Sequence, residues 1–86
     1  MISEEDFNRI CPPSRVEEIA EIMYGGFRKQ AESTRNATIK QTSMAVWKQG
    51  LECTRELLFG LIDKGVSFAD IKTVISAIYI RGVHLN

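Results

Sequence analysis

A chain of 86 residues fills one hydrophobic core and no more, so residues 1–86 read as a single domain. With 44% apolar and 26% charged residues the composition is that of an ordinary globular protein, which excludes a disordered tail and a disulfide-dense secreted scaffold. Eleven Lys and Arg balance eleven Asp and Glu, and this disfavours a strongly basic nucleic-acid binder whose affinity rests on many phosphate contacts.

Ser3, with Asp6 three residues on, marks a helix start and predicts a short helix over 4–10. Pro12 and Pro13 must end it, because the residue before a proline avoids the helical region. Ser14 is then expected to cap a second helix, Arg15 to about Ser33, with Glu17 reaching back to complete a capping box. Val16, Ile19, Ala20, Met23, Phe27 and Ala31 recur at spacings of three and four and build one apolar stripe. Gly25 and Gly26 together cost about 2 kcal/mol of helix propensity relative to alanine, so they imply a close backbone approach or a bend.

The polar run Ser33, Thr34, Arg35, Asn36 predicts a tight turn, followed by a capping box at Thr38 and Gln41 and a third helix over Ile39–Lys64. One continuous helix over 15–64 competes with this reading, since neither proline nor glycine interrupts residues 27–49. In the third helix Ile39, Val46, Trp47, Leu51, Cys53, Leu57, Leu58, Leu61 and Ile62 cover about half the cylinder, a width that calls for two neighbours. Gly65 ends it, and Ser67 with Asp70 begins a fourth helix that is expected to stop at Gly82. There Phe68, Ile71, Val74, Ile75, Ile78 and Tyr79 share one face while the other is scarcely polar, as in a bundle centre or an interface. The fold class is all-α: a small bundle of one short N-terminal helix and three longer ones, open to assembly as an oligomer.

Glu4, Glu5 and Asp6 stand where a signal peptide would need positive charge, and the longest apolar-dominated run, Val74–Ile80, is far short of the roughly 20 residues that cross a bilayer. A cytoplasmic protein without membrane contact is expected, with the sequon at Asn36 to Thr38 a chance match. Cys11 and Cys53 have no CxxC partner, so buried free thiols are expected, with no metal and no cofactor. The single histidine, His84, is a poor general base so close to the end of the sequence, and no glycine-rich phosphate loop is present; a non-catalytic protein is expected.

Three function classes remain. The charge balance is segmental: residues 1–27 hold six acids against two bases, and residues 28–48 hold five bases against one acid. Arg28, Lys29, Arg35 and Lys40, set among hydroxyls beside Trp47, could bind a small anion or nucleotide, although the two segments could equally attract each other within the chain or between copies. Residues 61–78 have the outline of a helix-turn-helix, in which Ser67, Ala69, Lys72, Thr73 and Ser76 would face the major groove of DNA and Arg81 a phosphate. Against it, Leu61 is large where the two helices would cross, and Lys72 is the lone base on that side. The leading expectation is a small regulatory, accessory or inhibitory interaction protein that forms a homo-oligomer and binds another protein, with Phe59, Ile80, Tyr79 and Trp47 as contact residues.

Overall fold

The computed structural model describes the backbone of residues 1–85 and the side chains of residues 1–79. Four helices follow one another: α1 (Glu4–Ile10), α2 (Pro13–Ser33), α3 (Ala37–Asp63) and α4 (Phe68–Leu85). The fold is the expected all-α bundle of one short helix and three longer ones, and no strand occurs among the described residues. None of the helices is long and apolar enough to cross a membrane.

The helix ends show which local signals prevail. Ser3 caps α1, its hydroxyl accepting the Asp6 amide at 3.1 Å. The capping box expected at Ser14 does not form: α2 begins at Pro13, with Pro12 in the cap position and no side-chain cap bond. Proline at the first helical position lacks only an amide hydrogen that would have no helical partner, and its fixed φ suits that position, so Ser14 is drawn inside the helix. The continuous helix over 15–64 is not formed either. Thr34 Oγ1 accepts the Asn36 amide at 3.2 Å, and Asn36 Oδ1 accepts the amides of Thr38 at 2.9 Å and Ile39 at 3.1 Å. Asn36, and not the Thr38–Gln41 pair, therefore starts α3.

At the other end of α3 the chain leaves through Gly65, whose φ of 92° is left-handed. The Gly65 amide donates to the Ile62 carbonyl and that of Val66 to Leu61, at 3.0 and 3.1 Å, the two reversed bonds of a Schellman motif. Ser67 Oγ then accepts the Asp70 amide at 3.1 Å to open α4. That helix runs on to Leu85, so Gly82 does not stop it as expected; a lone glycine weakens a helix without ending it.

Helices α2 and α3 form an antiparallel hairpin. Its register is visible in three cross-helix pairs: Gln30 with Ser43, Arg28 with Trp47, and Tyr24 with Gly50. The buried stripe of α3 runs through Ser43, Trp47, Gly50, Thr54, Leu58 and Ile62, so half of it is small or hydroxylic. Ser43 Oγ donates to Gln30 Oε1 at 3.1 Å and Thr54 Oγ1 to the Gly50 carbonyl at 2.7 Å, which satisfies both buried hydroxyls. The Tyr24 ring lies where a Gly50 side chain would be: a Cβ there would stand 2.5 Å from Tyr24 Cγ.

The main core gathers at the end of the hairpin away from the 34–36 turn. Phe7, Cys11, Val16, Ile19, Leu58, Ile62, Ile71 and Ile75 are buried there together. Phe7 tilts against Phe59 with ring centroids 5.1 Å apart, and Arg55 covers its other side, 5.0 Å from the ring, while donating to Glu4 at 2.5 Å. The resulting shape is flat, with Cα extents of 44 × 32 × 15 Å and a radius of gyration of 14.4 Å, against about 12 Å for a compact chain of this length.

Gly25, which is buried, and Gly26, which is exposed, sit in an uninterrupted helix. Beside Gly25 the space is taken by the Glu21 carboxylate, 2.7 Å from a built Cβ, while a Cβ at Gly26 would meet nothing within 4 Å. Two alanine substitutions should therefore differ in sign. Gly26→Ala is expected to add about 1 kcal/mol, which raises the melting temperature of a domain this small by about 4–8 °C. Gly50→Ala should lower stability by about 1–3 kcal/mol through overpacking against Tyr24. Thermal melts at one fixed protein concentration check both, and a neutral Gly50→Ala would refute the close approach.

Candidate functional site

The contact residues expected from the sequence separate on folding. Phe59, expected on an outer face, is half-buried and turned onto Phe7. Trp47 is 8% exposed, closed in beneath the Arg28 guanidinium, 5.7 Å from its ring. Both rings fill the interior of a single chain, so neither is free to meet a partner. Tyr79 is 44% exposed and belongs with Val74 at 56% and Ile78 at 62%. The Ile80 and Arg81 side chains lie outside the described residues. Cys53, expected buried, is exposed, while Cys11 is buried; burial pushes the Cys11 thiol above its ordinary value against the pull of Arg15 and Arg55, leaving it protonated and a weak nucleophile near neutral pH.

The four basic residues of the anion reading divide into one that is paired and three that are not. Arg28 is spent within α2: its Nε and Nη2 donate to the two Glu21 oxygens at 3.0 and 2.7 Å, and Nη1 donates to Glu32 at 2.7 Å. Glu21 and Arg28 stand two helical turns apart, and they meet because Gly25 between them has no side chain to hold the carboxylate away. Lys29, Arg35 and Lys40 are exposed and make no ion pair among the described residues. Of the six acids of residues 1–27, Glu4 pairs with Arg55, Glu18 with Lys72, Asp6 with Arg9 and Glu21 with Arg28, so of the basic segment only Arg28 is taken up.

The helix-turn-helix outline is treated similarly by the fold. Ser67 is occupied as a cap, Lys72 is paired to Glu18, Thr73 Oγ1 donates back to the Ala69 carbonyl at 2.9 Å, and Ser76 is half-buried. A side of α4 that turns its lysine toward a carboxylate has little charge left for phosphates.

Among the open clefts of the described residues, two lie between helices. One, of about 220 Å³, is lined by Asn8, Cys11, Val16, Glu17, Leu51 and Arg55 among others; Arg55 is already held by Glu4. The second, of about 230 Å³, lies near the 34–36 turn between α2 and α3, lined by Phe27, Gln30, Thr38, Ile39, Thr42, Ser43 and Val46. Phe27 and Ile39 are 40% and 41% exposed on its edges. The sequence pattern places Phe27 and Val46 on apolar stripes but is silent on how much of each stripe finds a cover.

Burial along α4 defines the most distinctive surface. Ile71 is 2% exposed, Ile75 7%, and Ile78 62%. At 100° per residue Ile78 projects within about 20° of Ile71, so a core-facing stripe continues past the point where the bundle covers it. Searches against protein-family models, curated proteins and solved structures give no match.

The Glu21–Arg28 pair predicts an acid response. The hydrogen bond from Arg28 holds the Glu21 carboxyl below its ordinary value of 4.5, assisted by the charges of Arg28 and Lys29 and opposed by burial. A depressed folded-state pKa means that this stabilisation is complete above the unfolded value and is lost as pH falls through the lower folded value. The stability difference between wild type and Glu21→Gln should therefore be level above about pH 5 and shrink below it. Melts between neutral and strongly acid pH check this, and a pH-independent difference would contradict the pairing.

Proposed function

We propose that the chain is a non-catalytic helical interaction module that self-associates and works by occupying a surface on another macromolecule. The single observation behind this reading is the exposed set Val74, Ile78 and Tyr79 on a helix whose Ile71 and Ile75 are buried. Covering one Ile or Val side chain fully is worth about 1.5–3 kcal/mol, so the row is a driving force for association. It also continues the inward stripe of its own helix, unlike the scattered apolar side chains of any protein surface. Small domains gain more from such association than large ones, because they bury a smaller fraction of their surface alone.

A DNA-binding role would call on Lys72, which is already paired with Glu18, and an anion site would have to form from Lys29, Arg35 and Lys40 without Arg28, which Glu21 and Glu32 hold. The expected oligomer therefore uses α4, with Val74, Ile78 and Tyr79 in place of Phe59 and Trp47. Light scattering coupled to size exclusion should show a dimer or larger species at about 100 µM that dissociates on dilution. Ile78→Glu should give a folded monomer of unchanged helicity, since the side chain it replaces is largely in solvent. A wild-type monomer at that concentration would remove the proposal.

A further inference from the structure

The α4 row is not the only apolar surface left open. Along α2 the inward stripe is covered unevenly: Ile19 is fully buried, Met23 half-buried and Phe27 40% exposed, while Ala31 one turn further on is buried again. Phe27 projects within about 20° of Val16 on the helix, so it too is a core position without a core. With Ile39 and Val46 it lines the cleft near the 34–36 turn. The pairs Arg15 with Phe68 and Glu18 with Lys72 keep α4 in step with the start of α2, so the exposed Phe27 and Ile78 lie toward the same end of the molecule, away from α1.

Resting on the self-association proposed above, we infer that the occupant of this groove is the Thr73–Tyr79 segment of α4 from a second copy, with the exchange made reciprocally across a two-fold axis. Charge favours the match. The α4 segment from Thr73 to Tyr79 contains no charged residue, and neither does the groove lining Phe27, Gln30, Thr38, Ile39, Thr42, Ser43 and Val46, so docking leaves no ion stranded. Groove against groove is disfavoured: the exposed Lys29, Arg35 and Lys40 of the two copies would then face one another. A reciprocal contact also covers both apolar surfaces of each chain in one closed assembly, whereas pairing α4 with α4 leaves both grooves open.

The test separates the partner surface from self-association itself. Phe27→Glu leaves α4 intact; it is expected to weaken the dimer at least about tenfold in Kd, as truncating an interface anchor does, with helicity and melting of the monomer retained. A second readout needs no destabilising charge. In a Cys53→Ser background, one copy carrying Phe27→Cys and a differently tagged copy carrying Ile78→Cys are mixed and treated with a short bismaleimide. The reciprocal contact gives a mixed cross-linked dimer in preference to either homodimer. A Phe27→Glu protein that dimerises like wild type, or cross-linking confined to pairs of Ile78→Cys copies, overturns the inference while leaving self-association through α4 standing. A monomeric wild type overturns both.

Discussion

The close approach of Tyr24 to Gly50 is the contact on which the remaining architecture depends. A phenol ring seated on bare backbone brings α2 and α3 nearer than two ordinary side chains would allow, and the small residues Ser43 and Thr54 extend that approach on either side. Once the hairpin is set, its two ends differ. The end away from the 34–36 turn receives α1 through Phe7 and α4 through Ile71 and Ile75. The end near the turn receives no further layer, and from this asymmetry come the flat shape, the open groove beside Phe27 and the bare row on α4.

Electrostatics sorts the surface without holding it together. The ion pairs are partly or largely exposed, and such pairs contribute between about 0 and 1 kcal/mol each. Their placement has a clearer consequence than their strength. Glu4 with Arg55 ties α1 to α3, and Glu18 with Lys72 ties α4 to α2, so each fixes how an outer helix lies on the hairpin. The same pairs withdraw Lys72, and Glu21 withdraws Arg28, from the phosphate-facing roles that a linear reading allows them. Lys29, Arg35 and Lys40 stay exposed beside the turn, where they oppose approach of the same end of another copy.

Much of the fold was legible in the linear pattern. The helix starts and the glycine exit at Gly65 follow from signals confined to a few neighbouring residues, caps, prolines and one left-handed position, whereas the reversal at residues 34–36 stands beside a continuous helix over 15–64 as one of two readings. Where local signals competed, the pattern could not rank them. Ser14 looked the better cap, yet Pro13 took the first helical position; Thr38 with Gln41 looked like a box, yet Asn36 reached two amides. The candidate contact surface was less legible. A helical projection puts Phe59 on a polar side and cannot know that Phe7, far away in the chain, will lie against it.

What the residues determined unaided was therefore periodicity and punctuation, since both arise from the stereochemistry of a single turn of chain. Tertiary packing decided which stripes were covered. Ser43, Gly50 and Thr54 became interior because a neighbour came close enough to exclude water, with the Ser43 hydroxyl donating across the hairpin to Gln30 and that of Thr54 to the Gly50 carbonyl of its own helix. Ile78 and Phe27, more apolar than any of these three, remained largely exposed because no neighbouring helix among the described residues packs over them, even though Ala31 further along α2 is buried. Burial belongs to the meeting of two surfaces, so no single helix's sequence can state it.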